Sequence, residues 1–302
     1  MSEHSGSTKT ILFALGANMA IAAAKTVAAF LTGSGSMAAE AVHSAADCAN
    51  QGLLLLGLRS SAKPPSPDHP LGHGRAIYFW SFIVALMLFS GGGLFSIYEG
   101  IHKLTAHEAI TDPWIAIGVL LFSLAAESVA LRKCLTQINA LRGRQSLWRW
   151  SRTTRQSERL VVLGEDVAAT LGLSFALVAI GVSTLTGNPF YDALGSMAIG
   201  VLLVIVAIFI GVEVKSLLVG QSADPAVRKE IMRFLNDREE IAEVLNLIAM
   251  QHGADVVVAL KARMTEKTSA SALIAAINRC EVALRHAFPQ IRWLFFEPDV
   301  KK

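Results

Sequence analysis

The sequence is poor in charged residues, in cysteine and in aromatic residues. Charged side chains make up 17% of its 302 residues, against about 25% in an ordinary soluble protein. Because 53% of the residues are hydrophobic, this deficit places the chain among membrane proteins. The net charge of +3 is too small to indicate a nucleic acid partner, and we predict none.

Cysteine is scarce enough to exclude two kinds of site. Cys48, Cys134 and Cys280 are scattered and form no CxxC pair, so we predict neither a disulfide framework nor a cysteine zinc site, and assign them to packing. The sequence also lacks an HExxH motif and any recognisable nucleophile motif. We therefore predict that the protein is not an enzyme, with a membrane metalloenzyme built on His43 and Asp47 as the alternative.

Apolar stretches long enough to cross a bilayer, which takes about 20 residues, occur six times. Turn and loop sequences rich in glycine, proline and serine separate them. The first stretch is longer than the apolar core of a signal peptide, so we interpret it as a retained span. The expected spans form a helical membrane domain over residues 1–220, at about 10–31, 37–59, 77–101, 113–134, 160–184 and 191–219.

Lysine and arginine are distributed unevenly between the two sides of these spans. One side carries the arginine-rich loop 142–159 and most other basic residues, whereas the opposite side carries essentially Lys103 alone. The positive-inside rule therefore predicts that both termini are cytoplasmic. The loop is explained by this rule, with binding of anionic membrane lipids beside Trp148 and Trp150 as the alternative. The absence of a transit-type leader favours a bacterial inner membrane.

The composition changes after about residue 221, where a small α/β domain is predicted over 221–302. Residues 224–236 have the pattern of a helix with Asp224 as N-cap and Pro225 at its first position. Residues 242–250 and 255–264 read as strands joined by the turn QHGAD. A helix over 269–287 and a last strand, RWLFFEP, complete the order αββαβ. One sheet with its helices on one face is expected.

Four polar residues recur on one face of the second span. At about 100° per residue, Glu40, His43, Asp47 and Asn50 fall within one stripe of an otherwise apolar helix. His43 and Asp47 are four residues apart, so their side chains meet. An imidazole and a carboxylate supply half of a tetrahedral Zn²⁺ shell, and ionisable groups in a span indicate function. A hydrogen bond between the two that ties helices together is the alternative.

The fifth span carries two adjacent carboxylates, Glu165 and Asp166, with Thr170 on the face of Asp166. They are candidates for the other half of the metal shell, or acids in water at a helix N-terminus. Glu127 in the fourth span either orients a ligand, relays protons or supports a helix contact. In the first span we expect the long side chain of Lys25 to reach the membrane surface. The three consecutive glycines 91–93 in the third span predict close helix packing.

The loop DHPLGHGR between the second and third spans is a second candidate metal site. It holds Asp68, His69 and His73, and two histidines with one acid can bind zinc. Pro70 and Gly72 predict a loop and not a helix. The four-residue spacing of the two histidines is therefore weaker evidence here that their side chains meet. We predict a possible loop site from these three residues, with ordinary surface residues as the alternative.

The strings SMAAEAVHSAADCANQ and HPLGHGR, followed by an aspartate in the fifth span, resemble the cation diffusion facilitator family of divalent metal transporters. The resemblance covers nearly the whole chain. It is strongest to the zinc-transporter-nine-like branch, whose fifth span also has a Glu-Asp pair, as in LGEDVAATLGL. It implies a six-helix bundle and a ferredoxin-like, metallochaperone-like cytoplasmic domain that forms a homodimer.

In that family a HxxxD or DxxxD pair in the second span joins a second pair in the fifth. The resemblance therefore implies His43, Asp47 and Asp166 as metal ligands. The partner of Asp166, four residues earlier, is Val162 here. Either Glu165 or water replaces it. Glu40, Asn50, Glu127 and Thr170 are then assigned to supporting or proton-relay positions, and His69 and His73 match histidines of a loop site in some members.

The cytoplasmic domain departs from the metal-rich members of the family. Lys261 and Phe295 stand where some members have histidine, and Glu297 is left as a plausible ligand. We expect dimerisation to be its main role, with His252 and His286 as exposed surface residues. For the whole protein, the resemblance implies proton-coupled export of a divalent cation, foremost Zn²⁺. The alternatives are selectivity for Mn²⁺, Fe²⁺ or Co²⁺, and a member that binds or regulates without transporting.

Overall fold

The computed structural model describes residues 3–106, 110–266 and 268–301. Long helices fill the first two thirds of this chain, and each of the six predicted spans lies in a helix. The third is interrupted by a π-helical segment, Leu88–Leu94. The helices are α1 (Glu3–Thr32), α2 (Gly35–Ser61), α3 (Ala76–Met87), α4 (Phe95–Ala106), α5 (Pro113–Arg142), α6 (Leu147–Thr153), α7 (Ser157–Thr186) and α8 (Phe190–Val219).

Four helical stretches among the described residues are long and apolar enough to cross a membrane: Ala76–Thr105, Pro113–Arg142, Ser157–Thr186 and Phe190–Val219. In α1 the described apolar part is the shorter stretch Asn18–Thr32. Helix α2 is long enough but carries the polar stripe, which lowers its mean hydropathy. The sequence features that weaken α2 as a membrane span are thus the ones that make it a candidate site.

The C-terminal domain has the predicted order αββαβ. Its elements are α9 (Pro225–Asn236), β1 (Ile241–His252), β2 (Asp255–Met264), α10 (Ala270–Ala287) and β3 (Ile291–Pro298). Strand β1 pairs antiparallel with β2, and β2 pairs parallel with β3 across the α10 connection. As predicted, Asp224 caps α9, because its side chain accepts a hydrogen bond from the Ala226 N–H at 2.8 Å.

The core of this domain lies between one face of the sheet and the two helices. Apolar side chains at alternate strand positions face the helices, since successive residues of a strand point to opposite sides. Cys280 is buried among them, as a packing role requires. The core includes Ile231 and Leu235 of α9, Leu247, Val258, Leu260 and Leu294 of the sheet, and Leu284 of α10. The predicted fold class, a helical membrane domain followed by a small α/β domain, is confirmed.

The chain divides into two compact units. The first holds the chain up to Leu56, Trp80–Trp148 and Glu158–Glu213. The second holds Gly57–Phe79, Arg149–Ser157 and the chain from Val214 onward. The loop with the two histidines and the segment before α7 therefore belong to the same unit as the C-terminal sheet.

Small residues bring two helical segments of the first unit into close contact. A Cβ atom added at Gly200 of α8 would lie 2.7 Å from the carbonyl oxygen of Gly93 and 2.7 Å from the backbone nitrogen of Ile97. One added at Gly92 would lie 3.1 Å from Leu203. The predicted role of the glycines 91–93 in packing thus applies to Gly92 and Gly93. Backbones approach this closely only where side chains are absent.

Helix α2 begins against a carboxylate from α8. Asp192 accepts hydrogen bonds from the Ser34 hydroxyl at 2.7 Å, the Gly35 N–H at 2.7 Å and the Ser36 N–H at 3.2 Å. Its own side chain is only 3% exposed. A carboxylate at this position satisfies N–H groups that no helix turn can reach and favours the positive end of the helix dipole. The start of the polar helix is thereby fixed to the last long helix.

Candidate functional site

The stripe on α2 is a row of buried polar groups. Glu40, His43 and Asn50 are completely inaccessible, and the Asp47 side chain is 17% exposed. The His43 Nδ1 atom lies 3.6 Å from the Asp47 Oδ1 atom, which is too long for a hydrogen bond. Both His43 ring nitrogens and Asp47 Oδ1 lack a hydrogen-bond partner among the described residues. Buried polar atoms without partners are costly, and a bound cation would satisfy them.

Glu40 already forms an ion pair with a lysine of another helix. The Lys25 ammonium donates to Glu40 Oε2 at 3.1 Å and to the Ser44 hydroxyl at 2.7 Å, and Lys25 is completely buried. The expectation that Lys25 reaches the membrane surface is therefore wrong, because its charge is compensated by Glu40 inside the bundle. A fixed cation beside the stripe makes Glu40 a supporting residue and leaves the metal-binding chemistry to other groups.

Asp47 shares a cavity with carboxylates from two other helices. The cavity has a volume of about 40 Å³, enough for one or a few water molecules or an ion. Its wall includes Asp47 of α2, Glu127 of α5 and Glu165 of α7. The Asn50 side-chain amide donates to Glu165 Oε1 at 2.7 Å and so orients that carboxylate. The remaining lining residues are Asn18, Ile21, Ser44, Gln51 and Ala169.

The two adjacent acids of α7 differ in their surroundings. Glu165 lies in the cavity wall, whereas Asp166 lies outside the described lining and close to the Cys134 side chain. The Thr170 hydroxyl donates to the Asp166 carbonyl oxygen at 2.8 Å, a bond that does not touch the carboxylate. Val162 is 38% exposed and is also outside the described lining. Having valine at position 162 therefore does not leave a gap in the described cavity wall. The carboxylate that α7 contributes to this wall is that of Glu165.

The three carboxylates of the cavity, and the histidine beside Asp47, can bind one divalent cation together only if they move closer together. In the part of the chain that the structure describes, no three His, Cys, Asp or Glu side chains are grouped tightly enough to hold a metal ion. Carboxylate oxygens and an imidazole nitrogen are nevertheless suitable ligands for divalent transition metals.

The histidine loop lies against the C-terminal sheet within the second unit. The rings of His69 and His73 are 4.2 Å apart at their centroids, and Asp68 is exposed. The Trp293 indole N–H donates to the Leu71 carbonyl at 3.2 Å, and Tyr78 exchanges two hydrogen bonds with the backbone of Gly253. The loop is therefore held by contacts to the tail, and its two histidines lie close enough to act together.

His252 is not the surface residue that its sequence predicts. It is 6% exposed, and the loop packs so closely that a Cβ atom at Gly74 would lie 2.5 Å from the His252 carbonyl oxygen. Burial lowers the pKa of His252, and the Arg75 guanidinium acts in the same direction. His252 is thus a neutral packing residue at neutral pH, while His286 is exposed as expected.

The last strand offers little to a metal. The Lys261 ammonium lies 2.6 Å from Asp299 and 3.7 Å from Glu297. Glu297, the plausible tail ligand, therefore already faces a cation. Phe295 is 55% exposed.

Sequence reasoning missed two residues that hold the molecule together, Asp192 and Tyr78. The sequence shows that Asp192 is an acid in the first turn of an apolar span. Its partners could not be predicted, because they lie about 160 residues away in the sequence. Tyr78 gave no signal, because an aromatic residue at a span end is common.

Comparison with known proteins agrees with the fold. Residues 11–219 match the family model described as the cation efflux transmembrane domain. Carboxylates from several helices and a histidine, buried inside a helical membrane protein, are the arrangement expected of a class of protein that handles cations. The chain belongs to the cation efflux family, the cation diffusion facilitators, and it is an integral membrane protein and not an enzyme.

Similar relatives come from animals, plants and bacteria. The human protein named "Proton-coupled zinc antiporter SLC30A9, mitochondrial" is 32% identical over 82% of this chain and 44% of its own length. "Metal tolerance protein C4" of Arabidopsis thaliana is 33% identical over 66% of this chain and 44% of its own. The "Cation-efflux pump FieF" of Serratia proteamaculans is 27% identical over 88% and 83%. The chain thus spans less than half the length of the SLC30A9 relatives that it matches.

Proposed function

We propose that the protein exports a divalent cation, foremost Zn²⁺, from the cytoplasm in exchange for protons. The observation that carries the proposal is the cavity in which Asp47, Glu127 and Glu165 meet, with His43 beside Asp47. A cavity walled by three carboxylates inside a bundle of apolar helices has a strong electrostatic preference for a cation. The names of the animal relatives, which specify zinc and proton coupling, support the same cargo and driving ion.

Proton exchange follows from the ligand chemistry. Carboxylates and imidazole bind a metal only after losing their protons, and protons therefore compete with the metal for the same atoms. Rocking of the helices around a fixed site would expose the cavity to one side and then to the other. A proton taken up by Asp47 or His43 on the far side would release the cation there. Glu127, in the same wall, is placed to carry a proton to or from the site.

Metal preference depends on the balance of ligands. Imidazole favours zinc and neighbouring transition metals, and a site richer in carboxylates moves toward Mn²⁺ or Fe²⁺. Here one histidine faces several acids, so we propose Zn²⁺ first and Mn²⁺, Fe²⁺ or Co²⁺ as alternatives. Glu165 serves as the fifth-span metal ligand in place of Val162, whose apolar side chain cannot bind a metal. A member that binds or regulates without transporting is the second candidate, and it is favoured by Val162, which stands at the position of the usual fifth-span ligand.

The membrane arrangement forms part of the proposal. We infer six spans in residues 1–220, a cytoplasmic domain in 221–302, cytoplasmic termini and a homodimer. The uneven distribution of lysine and arginine supports the orientation. For the membrane, we propose the bacterial inner membrane, with a mitochondrial membrane, which the names of the animal relatives specify, as the alternative.

Transport by purified protein in liposomes tests the proposal. With an imposed pH gradient, we expect Zn²⁺ uptake by the wild type and its loss, by roughly 100-fold or more, in Asp47→Asn and Glu165→Gln, because each removes a charged ligand. Asp166→Asn should have a smaller effect, because Asp166 lies outside the described lining of the cavity. A panel of Zn²⁺, Mn²⁺, Fe²⁺ and Co²⁺ ranks the cargo.

The outcomes separate the candidates. Binding of Zn²⁺ without uptake under any gradient would favour the non-transporting member. Uptake by Asp47→Asn at the wild-type rate would remove the cavity from the mechanism. An effect of Asp166→Asn larger than that of Glu165→Gln would reassign the fifth-span ligand to Asp166.

A further inference from the structure

A second cavity, in the second compact unit, is lined by basic side chains. It has a volume of about 710 Å³, within the range of small-molecule sites. Four cations line it: Arg155, from the segment before α7, and Arg228, Lys229 and Arg233 of α9. One carboxylate, Asp237, also lies in the wall. The other lining residues are Ser222, Ala223, Pro225, Met232 and Asn236.

The positively charged residues of α9 line the cavity, and its acidic residue does not. Its buried face carries Ile231 and Leu235, which pack into the domain core. The three cations of the helix line the cavity, whereas its one acid, Glu230, lies outside the described lining. A helix face that is merely solvated would mix both signs, since opposite charges at helical spacing stabilise each other. Here like charges are gathered around a concave surface, at a cost in mutual repulsion that an anion would remove.

Arg155 is fixed at the edge of this cavity. Its Nε–H donates to the Ser222 carbonyl at 2.7 Å, and an Nη1–H donates to the Thr153 carbonyl at 2.9 Å. The side chains of Arg228, Lys229 and Arg233 form no ion pair or hydrogen bond within the described part of the chain. The cavity thus combines one anchored guanidinium with three cations whose charge is uncompensated by any described partner.

Two residues that line the cavity are also close in sequence to two membrane helices. Arg155 is two residues before the start of α7, and Ser222 is three residues after the end of α8. Both helices are apolar enough to span a membrane. The basic residues are therefore at chain positions that emerge from the bilayer, where phosphate groups of anionic lipids are concentrated.

We propose that the cavity of Arg155, Arg228, Lys229 and Arg233 binds a phosphate ester. Three arginines and a lysine around one concavity suit the charge of a phosphate and its several acceptor oxygens. The anion would lie toward Arg155 and Arg228, away from the Asp237 carboxylate. Its source is either the headgroup of an anionic lipid or a soluble phosphate compound. Binding would connect the start of α9 to the segment before α7.

The test uses the full-length protein in two arms. In one, nanodiscs of phosphatidylcholine alone are compared with nanodiscs of equal parts phosphatidylcholine and phosphatidylglycerol, and native mass spectrometry counts the retained lipids. In the other, inorganic phosphate is titrated in detergent by calorimetry. The variant Arg228→Gln/Lys229→Gln removes two cavity cations. The variant Arg263→Gln/Arg292→Gln removes two cations of the same domain outside the cavity that are 49% and 52% exposed.

We expect the cavity variant to bind phosphatidylglycerol or inorganic phosphate about tenfold or more weakly than the wild type does. The control variant should bind them as the wild type does. Asp237→Asn should bind several-fold more tightly, because it removes the only carboxylate in the described wall. Preferential retention of phosphatidylglycerol identifies a lipid. Phosphate binding with the same variant pattern, without lipid retention, identifies a soluble source. Equal binding by the cavity variant and the wild type in both arms, or an equal loss in the control variant, overturns the proposal.

Discussion

The ion pair between Lys25 and Glu40 separates Glu40 from the other buried acids of the candidate site. Both side chains are completely buried, with the ammonium 3.1 Å from the carboxylate. Because the lysine neutralises Glu40, the negative charge at the neighbouring cavity is left to Asp47, Glu127 and Glu165.

Removing only one member of this pair should destabilise the bundle. Lys25→Met leaves Glu40 buried without a counter-charge, and we expect a loss of about 3–5 kcal/mol in the free energy of unfolding. The double variant Lys25→Met/Glu40→Gln should recover most of that loss, since no uncompensated charge remains. Unfolding in detergent, followed for both single variants and the double variant, measures the coupling. Additive effects of the two substitutions would show that the pair contributes no coupling energy.

Some residues of the candidate site could be predicted, and their surroundings could not. The spacing of His43 and Asp47 on one helix was sufficient to select them, because it follows from the pitch of a helix. The different positions of Glu165 and Asp166 depend on how α7 is rotated against its neighbours, which no local pattern encodes. The burial of Lys25 likewise depends on Glu40 of another helix.

At the scale of elements, the contact between α8 and the π-helical segment depends on glycine at three positions. Gly92, Gly93 and Gly200 allow the two backbones to approach at distances that a methyl group would occupy. A π-helical turn adds a residue to the helix and shifts the faces that follow it. Sequence analysis predicted close packing from the three glycines but not the π-helical geometry, since nothing local distinguishes it from an α-helix.

Gly200→Ala should therefore destabilise the protein. The added methyl group would lie 2.7 Å from Gly93 and Ile97 backbone atoms, and overpacking of this kind costs about 1–3 kcal/mol. Gly211→Ala in the same helix is the matched control, because an added Cβ there meets no described atom within 4 Å. We expect it to be neutral or slightly stabilising. Thermal unfolding of both variants in detergent is the measurement, and equal melting temperatures would contradict the packing role.

The strand β1 shows why one boundary was predicted incorrectly. The sequence QHGAD was interpreted as a turn, yet β1 continues to His252 and only Gly253 and Ala254 form the turn, with Gly253 at a φ of +67°. Gln251 and His252 are polar, which is typical of loops. They are buried in this fold because the segment before α3 covers them, a tertiary contact that overrides local preference.

At the scale of the whole molecule, the second unit joins parts of the chain that are far apart in sequence. Tyr78, at the start of α3, accepts a hydrogen bond from the Gly253 N–H at 3.0 Å and donates one to the Gly253 carbonyl at 3.2 Å. Arg75 lies 3.0 Å from the Met250 sulfur, and Trp293 bonds with Leu71. The histidine loop is therefore ordered by the tail, so that changes in the C-terminal domain can reach the loop that precedes the third long helical segment.

Tyr78→Phe should loosen this connection. The substitution keeps the ring but leaves the buried N–H of Gly253 without its partner, at a cost of about 1–3 kcal/mol. We expect faster hydrogen exchange of the backbone amides in residues 72–78 and 250–255, measured by mass spectrometry on the protein in detergent. Tyr98→Phe is the control, since that side chain is 65% exposed. Because hydrogen exchange reports local opening, unchanged exchange in both segments of Tyr78→Phe would mean that the remaining loop contacts hold the unit without the tyrosine hydroxyl.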